Sequence, residues 1–224
     1  MATHRLAAAF ATIVATMACA AAPLAAQAFE GVITVKITGR GTSRGEAIAP
    51  QLVEFLSRGT RGTRVNITGQ MGSMSMLTLP AEKKMFMLLD ARSMYVEMPL
   101  AEDGLPAGTP NIPVPKITRT GKTETIAGYS CEHVLIEAEH ETNDVCMTKG
   151  LGAFMNLSGG MGLKNAPSWQ RSLAADGAFP LKVTNAAGVT TLEVTKIEKK
   201  KLSDALFTIP LNYTKMAGAG RRPS

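Results

Sequence analysis

"MGSMSMLTLPAEKKMFMLLDARSMYVEM", residues 71–98, is the stretch on which the reading of this chain turns. It holds seven of the thirteen methionines. Three strand-length runs, MSMLTL (74–79), KMFMLL (84–89) and SMYVEM (93–98), are separated only by PAEK and DAR. Connectors this short force antiparallel neighbours, because a parallel crossover needs roughly a dozen residues or more. Alternate residues of a strand share a face. Met74 and Met76, Met85 and Met87, and Met94 and Met98 therefore line one side, while Leu77, Leu79, Phe86 and Leu88 line the other. A sheet apolar on both sides must be covered twice, or offer one side to something else. Burying a methionine contributes about 1.5–3 kcal/mol, so six together rival a domain's net stability of about 5–15 kcal/mol. Such a patch does not belong in open water. Three readings follow: adaptable core filler, the lining of an apolar-ligand cavity, or Cu(I) ligation by thioethers. The copper reading rests on the M-x-x-M-x-M spacing of Met71, Met74 and Met76. Strand alternation explains that spacing equally well.

The start of the chain sets its compartment. Arg5, an apolar run from Leu6 to Ala18 and small residues ending Ala26-Gln27-Ala28 read as a signal peptide over 1–28, with Phe29 the first mature residue. The expected location is the periplasm or the extracellular space. A lipid anchor on Cys19 ranks lower, because Thr16-Met17-Ala18 departs from a leucine-led lipobox. No later segment has the apolar length of a spanning helix. Removing Arg5 changes the net charge from +6 to 24 − 1 − 18 = +5. Few aromatics, and no basic runs interleaved with them, argue against nucleic-acid binding. KIEKKK (196–201) reads as a solvated strand end, with peripheral contact to anionic lipid as the alternative. Residues 29–216 make one domain of ordinary size, and 217–224 a disordered tail.

Strand signals dominate the remainder. FEGVITVKIT (29–38) alternates, and GRGTSRG (39–45) ends it as a plain loop. QLVEFLSR (51–58) and TRVNITG (63–69) form a hairpin, as do KITRTGKTETI (116–126) and YSCEHVLIEAE (129–139) around Ala127-Gly128. DVCMT (144–148) returns beside the latter. FPLKVTN and TTLEVTKIEKK close the chain around Ala186-Ala187-Gly188. Five prolines in 99–115 make a loop between two halves of one sheet. Two short helices are expected, at 149–157 and 166–176. Asn66, Asn156 and Asn212 begin glycosylation patterns that matter only in a eukaryotic secretory pathway.

Without Cys19, only Cys131 and Cys146 remain, and two cysteines in an exported chain pair by default. The loop they close is worth about 3 kcal/mol in the chain-entropy model. Cys131, His133, His140 and Cys146 can also be drawn as a metal cluster, but a disulfide consumes both sulfurs. His133 and His140 are the only histidines of the mature chain, and neither G-x-S-x-G nor H-E-x-x-H occurs. The expectation is therefore a protein that is not an enzyme and has no cofactor and no bound metal.

TGKTETIAGYSCEHVLI (120–136), DVCMTKGLGAF (144–154), FPLKVT (179–184) and VTKIEKKKLSDALFTIPLNY (194–213) together resemble a bacterial secreted family, domain of unknown function 4412. That family shows a TGK-x-x-x-I-x-GY-x-C-E block, a second cysteine before a short helix, an F-P-L strand and a terminal F-x-x-P-x-x-Y. At IPLNY this chain departs from the glycine more typical before Tyr213, and its methionine-rich strands are unusual for the family. The family is grouped with the lipoprotein carriers LolA and LolB. The resemblance implies a mainly β fold, a curved antiparallel sheet or half-barrel with helices on its concave side and a cavity for acyl chains. It brings no catalytic residues. The resulting expectation is an envelope protein that binds a lipid, an acyl chain, a lipoprotein or another apolar partner on Met74, Met76, Met85, Met87, Met94 and Met98. The alternatives are a methionine-rich copper-binding protein, and a structural or interaction module without a small ligand.

Overall fold

The computed structural model describes residues 29–38, 50–69, 72–100, 115–138, 141–152 and 178–216. The first expected strands form as β1 (Glu30–Ile37), β2 (Gln51–Arg58) and β3 (Thr63–Gly69). The methionine-rich stretch becomes β4 (Gly72–Leu79), β5 (Lys84–Leu89) and β6 (Met94–Pro99). Beyond the proline-rich segment come β7 (Lys116–Ile126), β8 (Tyr129–Ala138), β9 (Glu141–Lys149), β10 (Ala178–Asn185) and β11 (Thr190–Lys199). A two-residue strand, β12 (Thr214–Lys215), follows. All belong to one open sheet, ordered β12-β6-β5-β4-β3-β2-β1-β11-β10-β9-β8-β7. Every pairing is antiparallel except β12 with β6.

The hairpins follow from local backbone chemistry. Between β4 and β5, and between β5 and β6, one 3₁₀ turn (Pro80–Glu82, then Asp90–Arg92) hands over to a left-handed residue, Lys83 and Ser93 with φ 52° and 48°. The β7–β8 turn places Ala127 and Gly128 at φ 49° and 82°, matching the right-handed twist of its strands. Asn185 Oδ1 accepts from the backbone N–H groups of Ala187 and Val189, at 3.0 Å each, closing the β10–β11 turn.

Among the described residues there is no α-helix, only short 3₁₀ segments. Of the expected helix at 149–157, Lys149 instead ends β9. Gly150 and Gly152 then take φ 87° and 89°, which a right-handed helix cannot contain. Residues 153–157 and the expected helix at 166–176 lie outside the described residues, as do the expected signal peptide (1–28) and the expected tail (217–224).

The sheet curls. Phe55 on β2 and Phe179 on β10 are three strand steps apart, about 14 Å in a flat sheet, yet their rings meet edge to face at 5.5 Å. Their inner face carries the larger core, with Ile33, Val35, Val53, Ile136, Leu181 and Val183 fully enclosed. On the outer face lies a second core of Val32, Leu56, Leu77, Phe86, Leu88, Leu202 and Phe207. Residues after β11 close it as a strap. Its Leu202 N–H donates to Glu30 Oε1 at 2.9 Å, Arg58 sits over the Phe207 ring at 5.3 Å and also pairs with Asp204.

The two halves of the sheet meet where β1 pairs with β11, and Gly31 lies in that seam. A Cβ there would stand 2.1 Å from the Glu198 carbonyl oxygen and 2.8 Å from the Phe29 ring. Both obstacles are held in place, one by backbone and one by the core. Gly31→Ala is therefore expected to destabilise the fold by about 3 kcal/mol, read as a fall in the midpoint of denaturant unfolding. An unchanged midpoint would show that the seam can shift.

Candidate functional site

Register places all six methionines of β4–β6 on one face. Directly opposed residues of an antiparallel ladder point the same way, with Cβ atoms about 4.5–5.5 Å apart. Three rows cross the strands from β3 to β6: Ile67, Met74, Leu89, Met94; Val65, Met76, Met87, Val96; and Thr63, Thr78, Met85, Met98. Twelve positions thus hold six thioethers, four aliphatic residues and two threonines. The expected partition of faces is what the ladder shows, since Leu77 pairs with Phe86 and Leu88 with Tyr95 on the outer side.

Burial divides the patch. Met76 and Met85 are 2% and 3% exposed and belong to the inner core. Met74, Met87, Met94 and Met98, with Ile67, Leu89 and Val96, are only half-buried. Thr78 is enclosed between Thr63 and Met85, and its hydroxyl finds no hydrogen-bond partner among the described residues. Met74 and Met76 sit two residues apart on one strand, about 6.7 Å between Cα atoms, and Met71 lies outside the described residues.

The outer face is already taken. Arg64 donates from Nε to Asn66 Oδ1 at 2.8 Å, from one terminal nitrogen to the Leu206 carbonyl at 3.1 Å and from the other to Ser75 Oγ at 3.0 Å. Asp90 accepts from Ser75 Oγ at 3.2 Å and from the Tyr213 hydroxyl at 2.7 Å. That hydrogen bond to Asp90 raises the Tyr213 pKa above its ordinary value, with desolvation and the Asp90 charge acting the same way. At the sheet edge Glu97 is bridged by Lys215 and Lys84, which lower its pKa by hydrogen bonding, and Glu97 raises that of Lys215. KIEKKK is partly self-neutralised, Lys196 and Lys200 standing 3.0 and 3.6 Å from Glu198, with Lys199 over the Tyr129 ring.

Cys131 and Cys146 form the expected disulfide, with Cα atoms 5.3 Å apart. Around it, beside the His133 already singled out, the ladder gathers Glu124, Asp144 and Lys182, which the sequence did not single out. Glu124 opposes Cys131, while His133 and Lys182 oppose Cys146 from either side. His133 Nδ1 lies 2.7 Å from Asp144 Oδ1, and its Nε2 lies 3.2 Å from Glu124 Oε2. Lys182 Nζ donates to both Glu124 oxygens at 3.2 and 3.3 Å. Strand alternation alone signals Glu124 and Asp144; Lys182 depends on a pairing with β10. His140 lies outside the described residues.

A family model described as "Domain of unknown function (DUF4412)" matches residues 29–213. No curated protein matches. Among solved structures, the chain is similar to an uncharacterized conserved protein from Thermus thermophilus, with 12% identity, a TM-score of 0.48, and coverage of 84% of this chain and 90% of that one. It is also similar to a chain of the Pseudomonas aeruginosa MucA/MucB complex, with 9% identity, a TM-score of 0.44, and coverage of 84% and 58%. A third similarity is to the LolA superfamily protein NE2245 from Nitrosomonas europaea, with 14% identity, a TM-score of 0.35, and coverage of 81% and 90%.

The strap's hydrogen bond to Asp90 makes a pH-dependent contribution. A phenol whose folded pKa is raised stabilises fully below its unfolded value near 10 and loses that stabilisation as pH rises through the folded value. Tyr213→Phe should lower stability by about 1 kcal/mol at neutral pH. Thermal unfolding of both proteins across the alkaline range should show the gap closing. A gap independent of pH would contradict the hydrogen bond.

Proposed function

The chain belongs to the DUF4412 family, and from that premise we propose that it is a non-enzymatic, exported protein that holds an acyl chain or similar apolar ligand against the methionine rows of β4–β6. One observation carries the reading. The sheet is apolar on both sides there, its outer side is closed by the strap, and its inner rows hold the half-buried Met74, Met87, Met94 and Met98. Four half-buried thioethers in register offer a surface that reshapes around a flexible chain, because methionine is unbranched and polarizable. The Thr78 hydroxyl supplies one polar handle. An unpartnered buried hydroxyl costs about 1–3 kcal/mol, and a ligand carbonyl would offset that. The proposed setting is the cell envelope, and the proposed ligand class includes lipid and lipidated protein.

Organic extraction of the purified mature protein, followed by mass spectrometry, should recover an acyl-bearing compound. An apolar fluorescent probe should bind and be displaced by fatty acid. Met87→Lys with Met94→Lys should weaken that binding at least about tenfold, since each lysine adds a charge that must be desolvated. Thr78→Val should weaken it less while leaving the fold as stable or more so. If no compound co-purifies and the probe does not bind, the proposal fails.

A Cu(I) reading keeps one specific observation, that Met76 opposes Met87 and Met85 opposes Met98 across the ladder. Leucine at Met76 and Met87 separates the two. It would abolish Cu(I) affinity measured against a chromophoric chelator and leave acyl-chain binding nearly intact.

A further inference from the structure

The disulfide and its polar surround hold a second chemistry, independent of the methionine face. Glu124, His133 and Cys146 each present a donor atom within 4.8 Å of the others. Four neighbouring strands supply the group: Glu124 from β7, Cys131 and His133 from β8, Asp144 and Cys146 from β9, Lys182 from β10. Ladder hydrogen bonds fix its spacing.

We propose that reducing the Cys131–Cys146 bond converts this group into a tetrahedral site for a zinc-class divalent cation, with Cys131, Cys146, His133 and Glu124 as ligands. Three features support the assignment. Nitrogen and oxygen ligands at 2.0–2.1 Å from tetrahedral zinc stand about 3.3 Å apart, and His133 Nε2 and Glu124 Oε2 are separated by 3.2 Å. Asp144 Oδ1 stands 2.7 Å from Nδ1, placed to accept a hydrogen bond from it and so leave Nε2 to a cation, as outer carboxylates do for zinc-bound histidines. His133 directly opposes Cys146 in the β8–β9 ladder, so the imidazole and a sulfur share one side of the sheet.

The chemistry balances with a dithiol reductant. Its two thiols transfer two electrons and two protons to the Cys131–Cys146 bond and become a disulfide, leaving two cysteine thiols. The cation then displaces both thiol protons to solvent. Oxidation and metal loading are thereby mutually exclusive, because the same sulfurs serve both.

The test uses the full mature chain, reduced with a phosphine under anaerobic conditions, titrated with Co²⁺ as a spectroscopic probe and with Zn²⁺ against a chromophoric chelator. Reduced protein should bind one equivalent, show thiolate-to-cobalt charge transfer and tetrahedral cobalt bands, and exceed the affinity of oxidised protein at least about 100-fold. Asp144→Asn should weaken binding about 10–100-fold, and His133→Ala more. Cys131→Ser cannot form the disulfide but keeps Cys146, His133 and Glu124, and should bind without reductant. If reduced protein loses its sheet, added Zn²⁺ should restore the circular dichroism signal, since metal binding is coupled to folding. Equal affinity in the two redox states overturns the proposal, as does a cobalt spectrum without thiolate bands, an unaffected His133→Ala, or a reduced chain that zinc does not refold.

Discussion

The pairing of β1 with β11 is the constraint on which the structure rests. It joins residues 31–37 to residues 192–199, so the first and last long strands become neighbours at the centre of the sheet. Without it the chain would be two meanders, β1 to β6 and β7 to β11, each exposing the edge and face that the other covers. Pairing so distant in sequence incurs a large loop-closure entropy before it returns any contact. Its stabilisation must come from packing, and Ile33, Val35 and Val194 in the seam are almost wholly enclosed. The ladder shifts register between Thr34 and Val35, and shifts again in β10 next to Val183 and next to Pro180. Irregularities of this kind bend strands and increase twist, which accounts for Phe55 and Phe179 meeting across three strand steps.

Curling gives the two apolar sides of β4–β6 different surroundings. The outer side is closed by the chain's own strap, and the F-x-x-P-x-x-Y pattern has a mechanical explanation. Phe207 fills the outer core beneath Arg58, the Pro210 carbonyl accepts from the Tyr213 N–H at 3.0 Å, and the Tyr213 hydroxyl reaches Asp90 at the β5–β6 turn. The residue before Tyr213 does not disturb this, since Asn212 is exposed. From Tyr213 the chain runs directly into β12, whose pairing with β6 protects part of that sheet edge.

The disulfide follows a different logic. Cross-links are often read as staples alone, and this one closes a loop worth about 3 kcal/mol. Its neighbours are not those of an inert staple. A histidine held between two carboxylates, with a lysine on one of them, lies beside the sulfurs and is the geometry from which the cation site is proposed.

The sequence by itself determined the strands β1 to β11, the hairpins, the cysteine pair and the division of β4–β6 into a methionine side and a leucine–phenylalanine side. These are local properties: alternation of period two, connector lengths and turn residues act over a few positions, and short connectors leave one way to pair adjacent strands. The tertiary structure decided what no local pattern encodes. It set β1 against β11, it turned Gly150 and Gly152 away from a helix that residue periodicity favoured, and it laid the strap on the leucine side. It also brought Lys182 to the Glu124–His133–Asp144 group. Each of these depends on residues distant in sequence meeting once the sheet curls, and curvature is a property of the assembled ladder rather than of any one strand.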